Sequence, residues 1–274
     1  MNLSFRKLVW AVSFFGTFML TWAGVSRGEV VVFDRVTTVQ TPIHLIVLTK
    51  GFLFAEGGQL VDIFMDDQHL KKILTGGDGY GYLKYTPQDA GLKEIRARSD
   101  TGSATGLLLV MGKHEKAIII DIESAFKDAV FSDEIREKSQ KTVNSLSKNY
   151  KIIYLSLYVG KGVGRSWLKT ENFPESVILR WQGPETFKAL EERGVQLQAV
   201  IGSEDVMSAA AAQHIENRYT FEKSTKGQTV KDWDEILKLL QPAPPEGEQG
   251  NGKKRKTEDG KCECDKVEGG KLKR

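Results

Sequence analysis

Between Glu29 and Met111 the apolar positions fall into short bursts separated by turn residues. Val30–Phe33, Ile43–Leu48, Leu60–Met65, Tyr80–Tyr85, Glu94–Arg98 and Leu107–Met111 read as strands. Thr41-Pro42, Glu56-Gly57-Gly58, Gly76-Gly77-Asp78-Gly79 and Asp100-Thr101-Gly102 break them. In Gly79–Tyr85 the alternation puts Tyr80, Tyr82 and Lys84 on one face and Leu83 and Tyr85 on the other. Several short strands at this spacing predict an antiparallel sandwich.

After Lys116 the pattern changes. Ala117–Ile120 is an unbroken apolar run that stops at Asp121, the pattern of a strand buried on both faces. Lys151–Ser156, Ser176–Leu179, Gln198–Ile201 and Arg218–Phe221 read as further strands. Helices are expected from a Ser132 cap to about Ser147, from Pro184-Glu185 to the Arg193-Gly194 stop, and over Ser208–Ile215. Trp233, Ile236, Leu237 and Leu240 at i, i+3, i+4 and i+7 mark a final amphipathic helix. This alternation of strands and helices predicts a parallel sheet with right-handed crossovers.

The flanks differ from both. Leu8–Val25 carries no charge, follows Arg6 and Lys7, and ends in small residues at the spacing a signal peptidase needs. The run just reaches the length of a membrane helix, so residues 1–28 are expected to direct export, by cleavage or as a retained anchor. The body is then periplasmic or at the cell surface, touching membrane only through that segment. Residues 243–274 form a Pro-, Gly- and Glu-rich linker and a basic tail that holds both cysteines, Cys262 and Cys264. The body therefore contains no internal disulfide. The formal net charge of +3 arises in these flanks. Without residues 1–28 and 253–274, residues 29–252 are net acidic, which argues against a nucleic-acid-binding core.

Candidate chemistry gathers at strand ends, where open α/β sheets bind ligands. Asp121 and Glu123 would project from the first strand, Ser156 from the second, and Gly202-Ser203-Glu204-Asp205 from the fourth. The plain alternative is a set of solvated strand ends. Gly160-Lys161-Gly162-Val163-Gly164-Arg165 looks like a phosphate cradle but matches no phosphate-loop spacing, and is read as a flexible connection near the site mouth. His44, His69, His114 and His214 lack ligand spacing.

This succession, with Tyr154-Leu155-Ser156 and Arg165-Ser166-Trp167-Leu168, resembles the haloacid-dehalogenase-like (HAD) phosphohydrolases over about Lys116–Leu240, under half the chain. The stretch DGYGYLKYTPQDAGLKEIRARS resembles the late strands of bacterial immunoglobulin-like domains, with Pro87 to Gly91 as the linking turn and no Cys–Trp–Cys core. Together these give a multidomain expectation: an all-β immunoglobulin-like sandwich over 29–112, then an α/β Rossmann-like (HAD-like) domain over 113–242.

The HAD resemblance implies Asp121 as a nucleophile forming an aspartyl-phosphate and Glu123 as acid and base, where the family has Asp. It implies Ser156, Lys188 and Arg165 as phosphate contacts. It also implies Mg²⁺ on Asp121 with Glu204 or Asp205. The longer Glu123 and the shift of both metal carboxylates from the family's Gly-Asp-x-x-x-Asp pattern depart from it, and misplacement by about 1 Å costs roughly a hundredfold in rate. Two expectations stand side by side. One is an exported phosphohydrolase acting on a phosphomonoester. The other is a catalytically inactive HAD-fold binding or scaffold protein of the cell envelope, with a protein partner on the immunoglobulin-like domain.

Overall fold

The computed structural model describes residues 28–51, 54–127 and 134–241. The expected signal segment, the Ser132 cap and the cysteine tail lie outside these residues.

The N-terminal part is a two-sheet sandwich. One sheet is antiparallel, in the order β1 (Glu29–Val32), β3 (Ile43–Lys50), β6 (Tyr80–Tyr85). The other runs β2 (Arg35–Thr38), β8 (Gly102–Met111), β7 (Gly91–Ser99), β4 (Leu60–Met65), β5 (Gln68–Leu74), antiparallel except for the parallel β2–β8 pair. Val32, Leu45, Val47, Ile63, Ile95, Leu108 and Val110 fill the space between the sheets. The sequence pattern misses β2 and β5. The second is a largely exposed edge strand with little apolar alternation, joined to β4 through Asp66 and Asp67, both at positive φ (46° and 67°). Two such residues make the tight turn whose twist matches a hairpin.

The second part is a six-stranded parallel sheet in the order β11 (Ile178–Arg180), β10 (Lys151–Ser156), β9 (Lys116–Asp121), β12 (Gln196–Ile201), β13 (Arg218–Thr220), β14 (Gln228–Thr229). The chain builds outward from β9 on one side and then returns to build on the other. Strand order therefore reverses at β9, the position at which such sheets open a crevice. Ala117–Ile120 is fully buried because both faces are covered. On one face lie α2 (Ser139–Leu146) and α6 (Trp233–Leu240), where Phe126 packs against Phe173 at 4.4 Å and Trp233 at 5.6 Å between ring centroids. On the other lie α4 (Glu185–Glu191) and α5 (Glu204–Ala212). There Phe187 and Leu190 share one core with Val36, Leu107, Leu109 and Met111 of the sandwich. The sandwich thus supplies part of the cover that a helix layer gives elsewhere.

Two sequence expectations need correction. The helix expected over 132–147 begins only at Ser139, because Lys138 sits at φ 65° and Ile135 instead bridges Lys127 as extended chain. The Gly160–Arg165 stretch is not a flexible connection: α3 (Lys161–Thr170) starts there, with Leu168 in the core.

What ties α3 to the sandwich is Asp34, the second of the two residues between β1 and β2. Its fully buried carboxylate accepts from the backbone N–H of Leu107 (3.0 Å) and of Ile178 on edge strand β11 (2.8 Å). It also accepts from Lys161 Nζ (3.2 Å) and from the Arg165 guanidinium. Lys161 Nζ further donates to the carbonyls of Val32 and of Thr105. Removing one member of a buried ionic group leaves the others desolvated and unpaired, at about 3–5 kcal/mol. Asp34→Ala is expected to lower the unfolding free energy by roughly that amount in a urea titration. A loss under about 1 kcal/mol, the value of an exposed pair, would show that Asp34 is no such anchor.

Candidate functional site

Asp121 ends β9 and caps the single-turn helix α1 (Ile122–Ala125). Its Oδ1 accepts from the N–H of Glu123 (3.1 Å) and of Ser124 (3.4 Å). Its Oδ2 accepts from Ser124 Oγ (2.6 Å) and from the N–H of Ser203 (3.2 Å). The chain after β12 passes so close that a Cβ on Gly202 would lie 2.9 Å from the Asp121 Cβ, which restricts position 202 to glycine. Burial pushes the Asp121 carboxyl up to about 6, with the neighbouring Glu123 charge adding to the effect and the Ser124 and Ser203 donors offsetting part of it.

Glu123 has the opposite environment although it is only 2% exposed. The loop after β10 wraps its carboxylate. Ser156 Oγ donates to it at 3.0 Å, and so do the N–H groups of Leu157 (3.1 Å), Tyr158 (3.1 Å) and Val159 (3.0 Å). Three consecutive amides aimed at one point form an anion nest. Gly160, at φ 78°, ends the turn, and its N–H returns to Ser156 Oγ (3.1 Å). Burial works to raise the Glu123 carboxyl, but the three amides and the serine outweigh it and hold it below the usual range. Glu123 is therefore a fixed anion.

The structure brings Asp121, Glu123 and Ser156 together and places the other expected residues elsewhere. Arg165 is spent on Asp34, on the sandwich side of α3. Lys188 lies on α4 in an exposed pair with Glu185 at 3.9 Å. Glu204 and Asp205 open α5 and line the same cleft as Asp121, with Glu204 Oε2 and Ser203 Oγ buried and without partners. Among the described residues, however, no three His, Cys, Asp or Glu side chains converge as metal ligands. Asp121 accepts four internal hydrogen bonds, two on each oxygen, which leaves it little capacity for the near-octahedral coordination that Mg²⁺ requires. The amides of residues 157–159 were invisible to motif reading, since backbone donors leave no side-chain signature. Gly160 was the only hint.

The cleft over this pair holds about 300 Å³ and is lined by Asp121, Glu123, Glu204, Asp205 and Glu222 against one cation, Lys127. Two clefts of about 460 Å³ lie away from it, one beside Lys116 and Gln198 at the amino end of the parallel sheet and one beside α3 at Asn172.

No family model and no curated protein matches the chain. Solved structures similar to it include immunoglobulin- and fibronectin-like β-sandwich domains. The CARDB domain of a Pyrococcus furiosus protein is 19% identical over 31% of this chain and 85% of its own, at a TM-score of 0.25. The tandem Ig repeats of Dlar are 10% identical over 36% and 60%, at 0.26. The fibronectin(III)-like modules of Clostridium thermocellum CbhA are 12% identical over 32% and 48%, at 0.24.

The Asp121 environment has a pH signature. A carboxyl whose folded pKa lies near 6 binds its proton more tightly folded than unfolded, so its stabilisation is complete below about pH 4 and is lost as pH rises through 6. Wild type should therefore lose about 2–3 kcal/mol relative to Asp121→Asn between pH 4 and pH 7, as measured by denaturant unfolding across that range. Parallel pH profiles for the two proteins would refute the raised pKa.

Proposed function

We propose that the protein is an exported, non-catalytic binding or scaffold protein of the cell envelope, whose α/β part keeps a HAD-like phosphohydrolase architecture. The observation that carries this reading is the capture of Glu123 by Ser156 and the amides of Leu157, Tyr158 and Val159. The HAD-like ancestry is supported by the order β11-β10-β9-β12-β13, with Asp121 at the carboxyl end of the central strand and Ser156 beside it. Export is supported by the uncharged Leu8–Val25 run behind Arg6 and Lys7. The sandwich is the natural surface for a protein partner.

In this arrangement the chain fills its own anion site. A general acid must give up a proton near working pH, whereas Glu123 is held ionised with its lone pairs engaged. A phosphate entering the cleft would meet Asp121, Glu204, Asp205 and Glu222, and each like-charge contact at 4 Å costs about 4 kcal/mol at an effective dielectric constant of 20. Lys127 alone among the described lining residues offsets part of this, and neither Arg165 nor Lys188 joins it. The second reading, a Mg²⁺-dependent phosphohydrolase working through an Asp121 aspartyl-phosphate, is favoured by one observation: Asp121, Glu123 and Ser156 still share the crevice.

Phosphate release from a panel of phosphomonoesters, with Mg²⁺ and with EDTA, separates the two. The full-length protein should release no more than Asp121→Asn. Turnover that needs both Mg²⁺ and Asp121 would overturn the binding-protein reading. Glu123→Ala should empty the nest and create a site for acetate or inorganic phosphate, seen as shifts of the 157–159 amides that wild type does not give.

A further inference from the structure

A second cleft lies on the other side of the 157–160 loop, between that loop and the sandwich. It holds about 340 Å³ and takes Val31, Val32 and Phe33 from the sandwich, Leu157 and Tyr158 from the loop, and Arg180 from the end of β11. Ligand sites favour such places, at a junction of layers and the carboxyl ends of parallel strands, with apolar walls and a few polar groups.

Its charge is the reverse of the acidic cleft. Among the described residues one acid lines it, Asp34, and that carboxylate is shared by Lys161 and Arg165. One negative charge therefore faces two positive ones in a largely buried setting. Burial, and then the Arg165 charge, hold the Lys161 ammonium below the usual lysine range despite Asp34. Lys161 donates to Val32 O, Asp34 Oδ1 and Thr105 O, so its three hydrogens are used and it contributes field rather than a contact. Arg180 is the free hand. It stands exposed opposite Ser156 on the edge strand, at the cleft, and has no acid within ion-pair distance among the described residues. A guanidinium presents a planar fork that fits carboxylate or phosphate oxygens.

The apolar lining joins two rings, Phe33 and Tyr158, to Val31, Val32, Leu157 and Ile178, and Phe33 is backed by Tyr80 and Tyr82 outside the cleft. Phe33 stands near-parallel to Tyr80, with ring centroids 6.1 Å apart and an interplanar angle of 23°. Tyr80 is likewise near-parallel to Tyr82, at 6.3 Å and 17°. Tyr158, 72% exposed, stands at the loop wall. We propose that this cleft binds a small organic anion, an apolar or aromatic body bearing one carboxylate or phosphate, with the body against Val31 and Phe33 and the anionic group on Arg180. The assignment is independent of whether Asp121 is catalytic.

The test is an NMR titration of the full-length protein with phenyl phosphate, benzoate, benzyl alcohol and benzylamine. The two anions should bind saturably and shift residues 33, 158 and 180, and their relative Kd values say which headgroup the fork prefers. Benzyl alcohol should bind at least tenfold more weakly and benzylamine not at all. Arg180→Glu, a change at an exposed position, should weaken anion binding at least tenfold, and Phe33→Ala several-fold. Asp121→Asn should leave it unchanged, because Asp121 lines the other cleft. Equal binding of the alcohol or the amine, an unaltered Kd in Arg180→Glu, loss of binding in Asp121→Asn, or no saturable binding of either anion would each overturn the proposal.

Discussion

A carboxylate shut away from water must be matched donor for donor, and in this protein that requirement falls on Asp34. Its two oxygens take hydrogens from the sandwich backbone, from the exposed-edge strand β11 and from two side chains of α3. Each partner is held only because the others are in place: without the two cations the charge would be intolerable, and without the charge the cations would be. The 157–160 loop runs directly into α3, so fixing Lys161 also fixes the chain that presents its amides to Glu123. The conformation of the crevice thus depends on a residue of the sandwich far away in sequence.

Two acids two positions apart then take opposite characters. Asp121 is buried beneath the crevice beside a charged neighbour, these two effects outweigh its donors, and its proton is held more tightly. Glu123 meets a row of amides and stays ionised. Pushing paired carboxyls apart in this way is how many hydrolases divide acid and base roles. Here the ionised member is immobilised, and the protonatable member points its lone pairs inward.

Much of this was legible in the residues. The Ala117–Ile120 run announced a central buried strand, its abrupt stop placed Asp121 at a crevice, and the Tyr80/Tyr82 alternation assigned both faces of β6 correctly. The failures have physical causes. The resemblance sets Lys188 and Arg165 beside a phosphate, but a cation goes to the anion that most needs it, and Asp34 claims Arg165 through a contact spanning 131 residues. Glycines in Gly160–Gly164 suggest slack, yet only Gly160 needs its positive φ, and Gly164 sits on the helix face turned toward Ile122 and Ile178, where a Cβ would make ordinary contacts. The left-handed Lys138 that shortens α2 carries no sequence signal at all, since lysine is an ordinary helix former.

The common core of Val36, Leu107, Leu109 and Met111 with Phe187 and Leu190 bears on how the protein can be inherited and handled. A bead-on-a-string module presents water-compatible surface on every side and can be swapped between genes or expressed alone. This sandwich presents one oily flank that is interior to the whole. Cutting at Gly112 would strip the parallel sheet of part of its shelter and leave each fragment with a sticky wall. The two parts should therefore travel through evolution as a single heritable block, and either half made separately would be expected to clump or to seek a substitute for the half it lost.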